Sequence, residues 1–482
     1  MKELLEKKEN FKVIMPIFSW EDLRQNPKYY ERIFRRNEQA IEGFLHPARE
    51  IFERVQKQGD QAIIELELKY NNRLDSKIYN QTNLRVSQAD IATAYGRVGK
   101  KGLATIREYI SGVNMIAEAL MDKERREVKV ERSPGFIVRY EMAARESVGI
   151  YCPAGQVPLP IVSGMLAASA RAAGVPRIAV FYPPTEKDAE IIVAGREAGA
   201  TEFYRIGGAQ AMAAMTYGTE TVKSVDMIVG PGSSITQAGK IIAREKGVFT
   251  DSIGGASEQL VLVEEGAPIE SIIMAARDIL TECEHGETSA GVVITNSENI
   301  AEKIQTIILE MAEIEQRGGV IKAALRKSSA IIVAKLVEEM VAIAKEYKGE
   351  HVGLYIKDPQ KYALNIDSPS VSLNPINRPG LMSTARANYG GTFHCTLPTG
   401  PKGNRQPGST TPRMFLREVE IMEMLPQGAL IGLDVCEDLA RVELLPSHRN
   451  AMLATRLLND RSLLATDASP LGKIIKKVLA KR

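Results

Sequence analysis

The sequence predicts an α/β fold: two Rossmann-like parallel-sheet domains with a helical N-terminal arm and a small helical C-terminal segment. Three observations lead to it. From about residue 147, short apolar runs alternate with helical periods, the pattern of a parallel sheet with crossover helices. Two of these runs end in glycine turns, Ile206-Gly207-Gly208 and Val229-Gly230-Pro231-Gly232. A chain of 482 residues exceeds one ordinary core, so two or three domains are expected.

Residues 1–125 read as mainly helical, with amphipathic stretches over 48–70 and 103–120. The charged first 35 or so residues read as an arm. A small-residue helix over 165–173 ends at the turn Gly174-Val175-Pro176-Arg177. Next come a strand over 178–181, a helix over 187–198, a strand over 202–206, a helix over 209–217 and a strand over 227–229. A second block has strands over 259–263, 291–295, 330–333 and 352–356, with helices over 269–282, 300–311 and 334–347 between them. Residues 368–412 are rich in Pro, Gly, Asn, Ser and Thr, and a loop this long is functional or disordered. From about 413 the chain reads as helical and charged, ending in a basic amphipathic tail. The expected domains are an arm at 1–38, a discontinuous first α/β domain at 39–146 plus 258–408, a second at 147–257, and a C-terminal segment at 409–482.

Composition removes several functional classes. The chain is 44% hydrophobic and 25% charged, as a soluble globular protein is. A net charge of +2 exerts no general pull on nucleic acid. At 6% aromatic content, without basic–aromatic interleaving, it lacks a platform for stacking single strands. No apolar run is long enough to span a bilayer. The start lacks an apolar leader, so the expected location is cytoplasmic. Cys152, Cys283, Cys395 and Cys436 are widely spaced and read as reduced thiols.

The chain has five histidines. His285, His351, His394 and His448 fall in its polar second half, whereas His46 reads as an ordinary surface residue. Imidazole is suited to holding a metal or moving a proton near neutral pH. Glu282 and His285 form Glu-x-x-His, which puts two ligands on one helix face. Glu350 precedes His351 in a loop before a strand, where a carboxylate can raise the basicity of an imidazole. Glu443 lies five residues before His448. The turns Gly207-Gly208-Ala209-Gln210 and Gly230-Pro231-Gly232-Ser233 each follow a strand, where backbone amides can meet phosphate oxygens. Neither is the G-x-G-x-x-G fingerprint.

Together these segments resemble the histidinol dehydrogenase family from about residue 40 to 460. Gly59-Asp60-Gln61-Ala62 is similar to the family's Gly-Asp-x-Ala element. The run Val148-Gly149-Ile150-Tyr151-Cys152-Pro153-Ala154-Gly155 resembles its Val-Gly-x-Tyr-x-Pro-Gly-Gly segment. Tyr204 to Ala211, Tyr217-Gly218-Thr219, Val225-Asp226, Val229 to Gly232, and Asp251 to Glu258 are close to the family text. The resemblance implies NAD and one Zn²⁺ per chain as cofactors. It also implies oxidation of an alcohol through a bound aldehyde to a carboxylate, and a homodimer whose C-terminal segment docks on the partner. Neither nucleic acid nor membrane is expected as a partner. Residue by residue, it implies that Tyr151, Gln210 and Ser233 contact the dinucleotide and that Ser257 and Glu443 bind substrate. Glu350 and His351 match the catalytic pair, and His285 and His448 match zinc ligands.

The departures from the family pattern fall at the metal. Glu282 stands where the family has Gln, and Asn388 where it has Asp, so one carboxylate is gained and one lost. Ser233 replaces an Asn, and His394-Cys395 replaces Asn-His. Glu282, His285, Asn388 and His448 still offer oxygen and nitrogen donors suited to Zn²⁺. The expected function is therefore NAD-dependent, metal-assisted alcohol oxidation. The expected substrate is L-histidinol or, in preference, another small hydroxy compound, anionic in view of the arginines around the long loop. A non-catalytic relative that binds a metal or small ligand is the alternative.

Overall fold

The computed structural model describes residues 14–35, 41–70, 81–124, 128–154, 159–251, 253, 257–377, 381–383 and 411–481. Leaving aside short helices such as Trp20–Arg24 and Pro27–Phe34, the principal elements begin in chain order with strand β1 (Ile17–Ser19), helix α1 (Glu42–Tyr70), helix α2 (Gln88–Glu124), β2 (Val128–Ser133) and β3 (Phe136–Ala144). Then come β4 (Ser147–Tyr151), α3 (Pro160–Ala173), β5 (Arg177–Phe181), α4 (Ala189–Ala198), β6 (Glu202–Tyr204) and α5 (Gly208–Tyr217). These are followed by β7 (Met227–Val229), α6 (Ser234–Glu245), β8 (Phe249–Thr250), β9 (Glu258–Val263) and α7 (Ile269–Cys283). Next are β10 (Ala290–Thr295), α8 (Glu298–Ile314), α9 (Gly318–Ser328), β11 (Ala330–Val333), α10 (Val337–Tyr347), β12 (His351–Tyr355) and β13 (Ser370–Leu373). The chain ends with β14 (Leu416–Met424), α11 (Leu433–Val442), α12 (Pro446–Asn459) and two shorter helices, Arg461–Thr466 and Pro470–Leu479.

Two parallel sheets organise the larger unit, residues 1–121 with 144–415. One has five strands in the order β6-β5-β4-β7-β8, the other six in the order β1-β11-β10-β9-β12-β13. Every residue of β4, β7, β9, β10 and β12 is buried, because helices cover both faces of a parallel sheet. This is why the strands read as short unbroken apolar runs rather than as alternating ones. In each sheet the strand order reverses beside the first long strand, at β4/β7 and at β9/β12, and such a reversal opens a crevice at a sheet edge.

Three expectations are corrected. First, part of the expected 1–38 arm is built into the six-stranded sheet. β1 pairs in parallel with β11, Ile17 opposite Ile331, while Leu23, Ile33 and Phe34 are buried in the core on Leu260, Ile294 and Tyr347. A three-residue edge strand is too short to register as a period. Second, the expected grouping of 39–146 with 258–408 does not describe the packing of α1. Its apolar face, Ala48, Ile51, Phe52, Val55 and Ile63, lies in one core with Ala209, Met212 and Ile242 of the five-stranded sheet's helices. The helix is kinked at Gly59, whose φ of +54° and close approach to the Glu220 carboxylate suit glycine. Beside it the Asp60 carboxylate accepts from the Thr219 hydroxyl at 2.5 Å, and the Asp60 N–H donates to Glu220 at 2.8 Å. Third, the C-terminal segment contains a strand as well as helices. β14 joins the hairpin β2–β3 in a three-stranded sheet, and 122–143 with 416–482 form a second compact unit.

Within that second unit α11 and α12 are tied by Arg449 to Glu437 at 3.1 Å and Arg456 to Asp434 at 2.6 Å. Val435, Leu439 and Val442 are exposed at a spacing that puts them on one face of α11. Among the described residues, no helix is long and apolar enough to cross a membrane.

Candidate active site

The carboxyl edge of the five-stranded sheet brings together Tyr151, Gln210 and Ser233. Tyr151 ends β4, and its hydroxyl accepts the Gly208 N–H at 3.0 Å. Burial pushes the Tyr151 phenol up to about 12, so it stays protonated at neutral pH. Gln210 lies in the first turn of α5 and is buried. Ser233 precedes α6 with its hydroxyl 3.2 Å from that of Thr236, and it does not cap the helix with its side chain. Thr236 also hydrogen-bonds Tyr151, which links the two helices through one phenol.

Gly230 sets the approach between β4 and β7. Its φ is +118°, and a Cβ there would fall 2.1 Å from the Tyr151 carbonyl oxygen. Its N–H donates to Asp251 at 2.7 Å, and Lys240, fully buried, bridges the Gly230 carbonyl and the Asp251 carboxylate. The turn is thus anchored by Asp251 and Lys240, and Pro231-Gly232-Ser233 follows β7 beside the point where the strand order reverses.

A second group gathers at the amino edge of the six-stranded sheet. His351 opens β12, opposite Gln259 on one side and Ser370 on the other. The expected loop is corrected at His351, which opens β12 one residue before the apolar run, while Glu350 stays in the bend before the strand, and both are buried. The Glu350 carboxylate accepts the Glu258 N–H at 3.3 Å, and the Glu350 carbonyl accepts the Ser368 hydroxyl at 3.2 Å. Ser257, half-buried, lies immediately before β9 and accepts the Ala290 N–H at 3.0 Å through its carbonyl.

The last turn of α7 reaches the same edge, where Cys283 packs on Gly291 at the start of β10. Glu282 is buried in that turn. His285 lies just past the helix end, with Nε2 3.8 Å from the Glu282 carboxylate. Burial pushes the Glu282 carboxyl up to about 8, and the neighbouring Asp278 and Glu284 add repulsion. Burial also holds the His285 imidazole below its ordinary value. A neutral imidazole beside a buried carboxyl offers one nitrogen and one oxygen donor, and a cation bound there would favour the ionised form of Glu282. Asn388, like His394 and Cys395, lies outside the described residues. Glu443 and His448 are exposed on the second unit, at the end of α11 and the start of α12. Among the described residues of one chain, no group of three His, Cys, Asp or Glu side chains is placed to hold a metal.

Sequence reasoning missed Glu67, Asp278 and the Lys240–Asp251 pair. Asp278 accepts from the Tyr355 hydroxyl at 2.7 Å and from the Ser383 hydroxyl at 2.9 Å. The available signal was an acid on an apolar helix face: Glu67 follows Ile63 by four residues, and Asp278 lies among Ala275, Ala276 and Ile279.

A two-sheet α/β chain with a glycine-turn crevice on one sheet and carboxylate–imidazole pairs on the other has the form of a dinucleotide-dependent oxidoreductase. The chain belongs to the histidinol dehydrogenase family, whose members are NAD-dependent oxidoreductases: the family model "Histidinol dehydrogenase" matches residues 34–457. It is 30% identical over 449 residues to the histidinol dehydrogenase of Methanopyrus kandleri, with 90% of this chain and 99% of that one covered. It is 32% identical over 422 residues to that of Shewanella oneidensis, covering 86% and 93%. Among solved structures, the histidinol dehydrogenase of Elizabethkingia anophelis superposes with a TM-score of 0.77 at 27% identity, covering 86% of this chain and 93% of that one.

Proposed function

We propose that the protein oxidises the hydroxyl of a small alcohol to a carboxylate with NAD, through a bound aldehyde. The balance is one alcohol, one water and two NAD⁺ giving one carboxylate, two NADH and three protons. The observation that carries this reading is the buried Glu350–His351 pair beside Ser257, with Glu350 held by the Glu258 N–H. His351 takes the hydroxyl proton in the first oxidation, and Glu350 orients the water that adds to the aldehyde. Tyr151, Gln210 and Ser233 contact the dinucleotide, and Ser257 and Glu443 bind the substrate. Glu282, His285, Asn388 and His448 are the residues that would hold one zinc ion, which when bound orients the substrate and polarises its oxygen.

His448 and Glu443 come, on this reading, from a second copy of the chain in a homodimer. The exposed apolar stripe Val435, Leu439 and Val442 on the same unit supports such a docking face. The preferred substrate is a small anionic hydroxy compound rather than L-histidinol. With Glu282 for Gln and Asn388 for Asp the site's carboxylate stands elsewhere, His394-Cys395 removes polar partners for an imidazole ring, and the arginines around the long loop suit an anionic group. Each unpaired polar group costs roughly 1–3 kcal/mol of discrimination.

The experiment is an NADH absorbance assay over a panel of alcohols, with and without chelator, on protein whose zinc content is measured. About one zinc per chain and activity lost with the metal are expected. Full activity in metal-free protein would contradict the metal assignment. A kcat/KM on L-histidinol of about 10⁴ M⁻¹s⁻¹ or more would contradict the substrate assignment.

A further inference from the structure

Helix α1 sends a carboxylate into the carboxyl edge of the five-stranded sheet. Glu67 is 3% exposed there. Its Oε1 accepts two hydrogen bonds, from the Gly207 N–H at 2.5 Å and from Gln210 Nε2 at 2.7 Å. The next residue along the turn, Gly208, donates its N–H to the Tyr151 hydroxyl at 3.0 Å. Gly208 has a φ of +54°, and a Cβ on it would lie 2.7 Å from Gln210 Oε1. The Gln210 carboxamide is therefore held through its nitrogen by Glu67, and its oxygen occupies space that a side chain on Gly208 would take.

We propose that Glu67 is a positioning residue of the dinucleotide site, acting through Gln210 and the Gly207–Gly208 turn to set the affinity for NAD. The inference rests on the assignment of Gln210 to the cofactor. A carboxamide has two nearly isosteric orientations, with donor and acceptor exchanged. The Glu67 oxygen turns the NH₂ toward itself and fixes the Gln210 oxygen on the opposite side. The same oxygen fixes the peptide N–H at the start of α5 and, through the turn, the residue that meets Tyr151. Burial pushes the Glu67 carboxyl up to about 7, against the two hydrogen bonds that pull it down. Both protonation states leave an oxygen that can accept these bonds, so Gln is the conservative replacement.

The test uses the full chain and direct titration with NAD⁺, which needs no substrate. Glu67→Leu keeps the volume of the buried side chain and removes the acceptor. The expected result is a Kd for NAD⁺ raised about tenfold, the scale of one lost buried hydrogen bond. Glu67→Gln, which restores the acceptor, is expected within about threefold of the parent. Gln210→Ala should weaken binding by itself, and adding Glu67→Leu to it should cost less than Glu67→Leu costs in the parent, because only the bond to the Gly207 N–H is then left to lose. Parent-like affinity in Glu67→Leu, failure of the Gln variant to restore it, or full additivity with Gln210→Ala would each overturn the inference. If Gln210→Ala binds NAD⁺ like the parent, the cofactor assignment itself falls, and the role of Glu67 with it. If Gln210→Ala weakens binding while Glu67→Leu binds like the parent, the cofactor assignment stands and the role of Glu67 alone falls.

Discussion

The carboxylate of Glu350 accepts the backbone N–H of Glu258 at 3.3 Å, bridging the starts of two neighbouring strands. The acid beside His351 is thus held by main chain and does not swing with a loop. Because β9 and β12 are paired in register from Gln259 and His351 onward, the geometry of the pair is set by the sheet. A site built on strands is held more precisely than one built on loops.

His351→Ala is therefore expected to lower kcat by about 10²–10⁴-fold, the scale of a general base. NAD⁺ affinity should stay within about twofold of the parent, because Tyr151, Gln210 and Ser233 belong to the other sheet. Single-turnover NADH formation and NAD⁺ titration read the two effects separately, and unchanged turnover would remove His351 from the chemistry.

The Lys240–Asp251 pair is sealed from solvent and supports the Gly230 turn. Lys240→Ala leaves a buried carboxylate without its ammonium partner, and the expected destabilisation is about 3–5 kcal/mol. Lys240→Met with Asp251→Asn removes both charges and should cost clearly less. Urea denaturation of the three proteins checks this, and an equal loss in both variants would contradict the account.

Glu67 gives stability a defined pH dependence. Its carboxyl lies at about 7 in the fold against 4.5 for the ordinary group, so the folded state holds the proton more tightly. The stability linked to this group is fully present below pH 4.5 and is lost as the pH rises through about 7. The loss amounts to roughly 3 kcal/mol. Glu67→Gln does not titrate, so its stability relative to the parent should rise between pH 5 and 8. Parallel denaturation curves at the two pH values would show that the group is ionised in the fold throughout.

If His448 and Glu443 are supplied across a dimer, two defective chains can complement each other. Mixing His351→Ala with His448→Ala protein should restore about a quarter of parent activity after full subunit exchange. Half of the dimers are then hybrids, and one of their two sites holds both native residues. Light scattering checks the dimer first, and exchange without rescue would assign both residues to one chain's own site.

Most of the alternation of strands and helices between 177 and 355 was legible because its longer strands are buried on both faces and bounded by polar turns, whereas the half-exposed strand Phe249–Thr250 and the helices Ser234–Glu245 and Gly318–Ser328 were not read. The strands Met227–Val229 and Ala330–Val333 begin and end where the apolar runs do. The glycine turns and the histidines beside acids were visible as short patterns, and the structure puts the turns at Gly207 and Gly230 on the carboxyl edge of one sheet and Glu350, His351, Glu282 and His285 at the amino edge of the other. Other elements left no local mark. The strand Ile17–Ser19 and the strand Leu416–Met424 owe their conformation to partners far away in the chain. β-structure is fixed by its neighbours more than by its own sequence. Tertiary packing alone decided that α1 covers the five-stranded sheet, since an apolar face at helical spacing states that it will be buried but not against what. For the same reason Glu67 reads in the sequence as one more charge on a helix. Only the approach of Gly207 and Gln210 to its carboxylate turns it into part of a site.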